Sequence, residues 1–203
     1  MNGKRLFDIV IALAALVFVS PIMIIATVWI KLDSRGPVIY RQKRVGLKGQ
    51  LFDIFKLRTM CVQQTEDELL VTETSDSRIT RCGKVLRKLK LDELPQFANV
   101  LLGQMSIVGP RPEVEKYVDR YPIRLRNKIL SIRPGITDNA AIAFRNEGDL
   151  LAAADDPEKE YIETILPMKL ALYEKYVDEQ SLGGDFMLII KTAVSVLLQQ
   201  SKC

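Results

Sequence analysis

The sequence predicts an α+β protein, mostly helical, in which a kinked, re-entrant N-terminal membrane helix packs on a small cytosolic domain with a short β-hairpin and interfacial amphipathic helices. Three observations predict it. A charge-free run fills residues 9–30, "IVIALAALVFVSPIMIIATVWI". Two short segments of alternating polarity flank a turn from Gly46 to Gly49. Apolar residues recur at helical spacing around Phe97, Val100 and Leu101 and again near the C-terminus. The expected division is 1–35 for the membrane helix and 36–203 for a domain at the membrane surface.

The run at residues 9–30 is interrupted only by Ser20, Pro21 and Thr27. As a straight helix it would be roughly 33 Å long, enough to cross a hydrocarbon core of about 30 Å. A cleaved signal peptide fits poorly, because the run exceeds the usual apolar core and no small-residue cleavage site follows before Lys31. A simple spanning anchor is opposed by two features. Pro21 has no N–H for the Val17 carbonyl and bends the helix there, with the Ser20 hydroxyl available to compensate. Lys4 and Arg5 precede the run while Lys31 and Arg35 follow it, so the positive-inside preference draws both ends to the cytoplasmic face. Two arms, Leu6 to Ser20 and Pro21 to Leu32, that dip in and return satisfy both.

"GPVIYRQKRVG" and "GQLFDIFKLRTM" then read as paired strands, and the acidic stretch 63–77 as a surface loop or short helix. "RITRCGKVLRKLK" follows with six cations and no acid, its Val85, Leu86 and Leu89 forming one apolar side. A solvated basic face or contact with anionic headgroups is the ordinary reading of such a run.

Composition limits the chemistry. The 203 residues, 48% hydrophobic, suffice for a core. A formal charge of +4 favours anionic partners without choosing among phosphorylated metabolites, nucleic acid and an anionic leaflet. Cys61, Cys82 and Cys203 lack CxxC spacing, which fits a reducing compartment and argues against a disulfide framework or a zinc site. The chain contains no His, which excludes imidazole bases, Ser-His and Cys-His pairs and most zinc or iron sites. Carboxylates, Lys, Arg, Tyr or a hard cation must carry any reaction.

Asp92 and Glu93 stand directly behind the cations and ahead of Pro95. Helix cap, solvated cluster and reaction centre all remain open on this stretch alone. A carboxylate at a helix start, faced by Arg87 and Lys90, is expected to stay ionised and can attack phosphorus once cations neutralise the incoming phosphates. Mg²⁺ would suit such a site, because it takes oxygen ligands from one or two carboxylates plus substrate phosphates. Arg111 between Pro110 and Pro112 fits an aimed phosphate contact, and Arg133 sits in a second Arg-Pro-Gly turn; a rigid turn with an incidental Arg is the plainer alternative for both.

"RQKRVG", "FDIFKLRTM", "LDELPQFANVLLGQMSIVGPRP" and "RPGIT", in that order behind an apolar helix with a central Ser-Pro, closely resemble the small monotopic phosphoglycosyl transferases, the bacterial sugar transferase family. The resemblance runs from about Lys4 to Leu198. It implies transfer of a phosphosugar from a UDP-sugar to polyprenyl (undecaprenyl) phosphate, with release of UMP, through a covalent aspartyl intermediate. Asp92 matches the nucleophile and Glu93 the partner that assists the incoming polyprenyl phosphate or its deprotonation. Mg²⁺ is the implied cofactor, contacted by Asp92 through the bound phosphates. Lys56, Arg87 and Arg111 match basic residues of the phosphate site, with Arg58 and Arg133 also expected there. Ser20 and Pro21 match the break of the family's re-entrant helix. The implied location is the cytoplasmic leaflet of a bacterial inner membrane, with no nucleic-acid partner.

Two departures bear on the sugar. Gln104 stands where an acid is common, and "DNAAIAFRNEGDLLAAADDPEKEY" replaces the usual continuation after "RPGIT". That block resembles the subgroup associated with N-acetylated amino sugars such as diacetylbacillosamine, making Asp138 and Arg145 candidates for the nucleotide-sugar pocket. A membrane-tethered polyprenyl diphosphate phosphatase and a non-enzymatic scaffold remain the rival functions.

Overall fold

α1 (Gly3–Asp33) is helical on both sides of Ser20 and Pro21 and across them. The Ser20 hydroxyl donates to the Val17 carbonyl at 2.9 Å, the carbonyl that Pro21 leaves without its helical partner. The chain continues in the computed structural model, which describes residues 3–61 and 78–200, through β1 (Ile39–Val45), β2 (Leu51–Leu57), α2 (Arg81–Lys88), α3 (Gln96–Leu101) and β3 (Ser106–Val108). Then come α4 (Glu115–Val118), α5 (Ile123–Ile129), β4 (Gly135–Thr137), α6 (Asn139–Ala143), α7 (Glu147–Ala152), α8 (Pro157–Glu160), α9 (Leu166–Glu179) and α10 (Leu182–Gln200). The described residues are mostly helical. The acidic stretch 63–77 lies outside them.

Both ends of α1 are fastened to the same domain. Near the start, Lys4 meets Asp185 of α10 at 2.6 Å and donates to the Val108 carbonyl at 3.2 Å. Asp8, on the next turn, accepts from the Ser106 hydroxyl and the Ile107 amide, so its buried charge is satisfied. Ala12 is fully buried against the cluster of Val100, Met105 and Ile107. At the far end Ala26 and Ile30 pack with Leu57, Cys82 and Leu86. Between these holds the helix shows water-averse side chains to the outside, with Val17 72% and Phe18 81% exposed.

β1 and β2 pair antiparallel, Ile39 opposite Leu57 and Val45 opposite Leu51, around a short 3₁₀ turn at Leu47–Gly49. The expected hairpin is therefore present, with Phe52, Ile54 and Leu57 buried and Leu51 turned outward. β3 and β4 form a parallel pair, Ser106 opposite Gly135 and Val108 opposite Thr137. In α2 Leu86 is buried as expected, together with Cys82 and Gly83, and Leu89 is half-buried, whereas Val85 faces outward.

A larger cluster joins α4, α5 and α9 through Val118, Tyr121, Ile129, Leu170 and Tyr173. A π-helical turn, Tyr161–Ile165, leads into α9, whose second residue is Pro167. Pro167 has no N–H for the preceding turn, and the widened turn accommodates the missing bond. α10 buries Leu188 and exposes Leu182, Phe186, Met187, Ile190 and Val194 along one stripe. Its first turn lies beside the start of α1, where Gly3 faces the Leu182 side chain and Lys4 meets Asp185.

Candidate active site

The carboxylate pair sits on a 3₁₀ turn, Leu91–Glu93, between two helices that meet at an angle set by one residue. Lys90 ends α2 in the left-handed region at φ 56, which reverses the chain so that Leu91 turns inward. Pro95 follows and starts α3 at φ −61, the value its ring prescribes. Neither carboxylate caps a helix through its side chain. Asp92 is only 8% exposed, and among the described residues its carboxylate takes part in no hydrogen bond or ion pair.

Glu93 is fully engaged. Arg111 grips it with both terminal nitrogens, Nη2 on Oε1 and Nη1 on Oε2 at 3.4 Å, and Lys56 Nζ stands 3.5 Å from Oε1. Lys56 arrives from β2, on the same strand face as Phe52 and Ile54. The strand is held by Asn99 of α3, whose Oδ1 accepts from the Phe55 amide at 3.0 Å while Nδ2 donates to the Asp53 carbonyl and to Gln104 Oε1, both at 2.7 Å.

Arg111 arrives from the Gly-Pro-Arg-Pro turn beyond β3. Two glycines allow this turn to dock: a Cβ on Gly135 would lie 2.1 Å from the Gly109 nitrogen, and one on Gly109 would lie 2.6 Å from the Arg133 carbonyl oxygen. Gly109 donates to the Thr137 carbonyl and Gly135 to the Pro110 carbonyl, tying the two Arg-Pro motifs together. Arg44 of β1 completes the support, reaching the Pro112 carbonyl at 3.3 Å and Glu113 at 3.4 Å, and the Tyr161 hydroxyl donates to Glu113 at 2.7 Å.

The two neighbouring acids are pushed apart electrostatically. Burial, then the charge of Glu93, raise Asp92 above the ordinary aspartate range; Lys56, Lys90 and Arg87 pull the other way and are outweighed. Arg87 and Lys90 do favour the ionised form of Asp92, as expected, but burial outweighs them, and the degree of burial was not legible in the sequence. Burial also opposes the charge of Glu93, but Arg111 and then Lys56 overcome it and hold the carboxyl far below its usual range. Burial lowers the Lys56 ammonium despite Glu93. One acid is thus fixed as an anion within a cationic clamp, and the other is left available.

The remaining expected site residues divide. Arg87 stands near Asp92 and donates from Nε to the Thr59 hydroxyl at 2.9 Å. The Arg58 guanidinium donates to the Pro37 carbonyl at 2.6 Å and the Ser34 carbonyl at 2.7 Å, closing the C-terminus of α1, and it is 4% exposed. Arg133 is likewise committed, to the Gly103 carbonyl at 2.8 Å. Asp138 caps α6 by accepting from the Ala141 amide at 2.8 Å, and burial pushes it up to about 6 against that bond and the charge of Arg111. Its side chain is buried away from solvent. Arg145 falls between α6 and α7.

Sequence reasoning did not single out Asn99, Arg44 or Glu113 for the site. Asn99 had a signal: it falls at the buried helical positions shared by Gln96 and Val100, where a polar side chain must be fully bonded. Arg44 and Glu113 are 69 residues apart, and nothing local pairs them.

Among the described residues no three His, Cys, Asp or Glu converge as a ready-made metal cage. A hard divalent cation still fits, because Asp92 offers an uncommitted carboxylate and Mg²⁺ ordinarily takes one or two carboxylates plus substrate phosphates.

The bacterial sugar transferase family model matches residues 1–199. The UDP-glucose:undecaprenyl-phosphate glucose-1-phosphate transferase of Klebsiella pneumoniae is 42% identical over 154 residues, 74% of this chain and 33% of the relative. The UDP-N-acetylgalactosamine-undecaprenyl-phosphate N-acetylgalactosaminephosphotransferase of Aeromonas hydrophila is 38% identical over 198 residues, 96% of this chain and 43% of the relative. The exopolysaccharide production protein ExoY of Rhizobium meliloti (strain 1021) is 33% identical over 213 residues, 98% of this chain and 87% of the relative. The chain thus spans less than half the length of the first two.

Proposed function

Because the chain belongs to the bacterial sugar transferase family, we propose that it moves a sugar 1-phosphate from a UDP-sugar to polyprenyl phosphate, with Asp92 as a transient covalent carrier. The observation that carries this reading is the division within one acidic pair: Glu93 is locked between Arg111 and Lys56, while the adjacent Asp92 carboxylate makes no hydrogen bond or ion pair among the described residues.

In the first step an Asp92 carboxylate oxygen attacks the phosphorus that bears the sugar. An O–P bond forms, and the bond from that phosphorus to the bridging oxygen breaks, so UMP leaves with the electron pair. In the second step an ionised oxygen of polyprenyl phosphate attacks the same phosphorus, and Asp92 departs as a carboxylate. Mg²⁺, with Asp92 and the substrate phosphates as its ligands, would supply the charge that draws them together. Arg111, Lys56 and Arg87 form a positive wall against which phosphate charge is stabilised. Glu93 aims Arg111 and Lys56. Its depressed titration makes it a poor proton acceptor, so its part in the second step is positional.

The same reading places the protein on the cytoplasmic face of the inner membrane, α1 entering and returning through one leaflet. Two observations support it: both ends of α1 bind one domain, and its middle exposes apolar side chains. The stripe on α10 would lie at the interface beside it. The relatives' donors, UDP-glucose and UDP-N-acetylgalactosamine, and UDP-diacetylbacillosamine form the panel for the sugar.

The test measures UMP release in Mg²⁺ from each donor with undecaprenyl phosphate, for the wild type and Asp92→Asn. The reading expects release with one donor class and at least a 10³-fold loss in the variant. Release of inorganic phosphate without a nucleotide would point to a phosphatase. No turnover with any donor, and no effect of Asp92→Asn on function, would leave a scaffold.

A further inference from the structure

Among the described residues Lys90 is one of two non-glycine residues with positive φ, at 56, in a position where glycine would adopt the same backbone without cost. The other, Lys48, lies in the hairpin turn, away from the carboxylates. At Lys90 the side chain stands two residues before Asp92, is exposed, and acts electrostatically on both Asp92 and Glu93. The neighbouring cations are occupied: Arg111 and Lys56 hold Glu93, and Arg87 donates to Thr59. Among the described residues the Lys90 ammonium makes no hydrogen bond or ion pair. A strained backbone thus presents an exposed, uncommitted cation whose charge reaches the carboxylate pair.

On the reading given above, we propose that Lys90 is a substrate-binding residue, its ammonium taking a phosphate oxygen of an incoming phosphate ester as it approaches Asp92. The left-handed backbone ends α2 and turns the chain, which glycine would do equally well, and the side chain adds the charge that glycine lacks. Two phosphate sources share this chemistry, the diphosphate of the nucleotide sugar and the phosphate of the polyprenyl acceptor. Lys90 meets whichever enters past the end of α2.

The test compares wild type, Lys90→Gly, Lys90→Asn and Lys90→Arg in detergent with Mg²⁺, following UMP release at several salt concentrations and melting temperature. Gly and Asn both tolerate the left-handed backbone without the charge. The proposal expects both to melt at or above the wild-type temperature, to raise one substrate's KM roughly three- to tenfold and to weaken the salt dependence of kcat/KM, the scale of one exposed charged contact. Lys90→Arg should keep near-wild-type KM. A raised KM for the UDP-sugar assigns the donor diphosphate, and a raised KM for undecaprenyl phosphate assigns the acceptor. Unchanged KM values and salt dependence in Lys90→Gly would overturn the proposal, as would a loss of melting temperature in both uncharged variants matching the loss of activity. If the wild type releases no UMP while Asp92→Asn behaves alike, the transferase reading has failed and not this assignment alone.

Discussion

Glu93, Arg111 and Lys56 act as a unit, because the carboxylate satisfies two cations that would otherwise repel each other in a buried place. Removing one member therefore damages the other two. Glu93→Gln and Arg111→Met are each expected to lower kcat/KM by at least about 10²-fold, and the double variant to lose much less than the product of the two. Steady-state UMP release across that cycle checks it; multiplicative losses would dissolve the unit. Asp138 gives a stability test. Its folded value near 6 lies above the ordinary 3.8, so the native state holds the proton more tightly and stability is lost as pH rises from about 4 to about 6. Asp138→Asn keeps an oxygen for the Ala141 amide and removes the charge. It should stabilise the protein by on the order of 2 kcal/mol at pH 7.5 and by little at pH 4, as read by melting temperature at the two pH values. Residue type and local order pointed to Asp92, Glu93 and Arg111 in the sequence, while Lys56 was named only through the family resemblance. The sequence could not separate Arg58 and Arg133 from them, since a guanidinium beside the site and one closing a helix or gripping a loop carbonyl look alike in one dimension.

The elements that position the clamp are small, so their contacts are close. Gly135→Ala would drive a methyl group into the Gly109 backbone, separating β3 from β4 and moving the turn that carries Arg111. A loss of about 3 kcal/mol in unfolding free energy is expected, together with a fall in kcat, measured by chemical denaturation and UMP release. Arg58→Met should free the end of α1 from β2, lowering the melting temperature while Asp92 still forms its covalent adduct. The hairpin was legible because glycine turns and period-two alternation are local signals. So was the reach of the Ser20 hydroxyl to the Val17 carbonyl, a pairing between residues three apart. The outward turn of Val85 and the π-helical turn were not, because the first depends on Gly83 pressing against the Thr59 carbonyl of a distant segment and the second on how the chain enters α9 at Pro167.

At the scale of the whole molecule, the proposed function requires a lipid-borne phosphate and a water-soluble nucleotide to meet at one height, and α1 is the element proposed to set it. Lys4 and Asp8 hold one end to β3 and α10, and Arg58 holds the other beside β2, on either side of a middle stretch that exposes Val17 and Phe18. A tag ahead of Met1 and a cysteine at Arg35→Cys in a cysteine-free background are both expected to react from the cytoplasmic side only. The apolar run and its flanking charges were legible in the sequence, whereas the fastening of both ends to one domain required the fold. The central claim, however, concerns Asp92, and intact-mass spectrometry after incubation with donor and Mg²⁺ but no polyprenyl phosphate addresses it most directly. A mass increase equal to one phosphosugar, located on the peptide containing Asp92 and lost on addition of undecaprenyl phosphate, is the expected result; an unmodified protein that nevertheless turns over both substrates at full rate would contradict it.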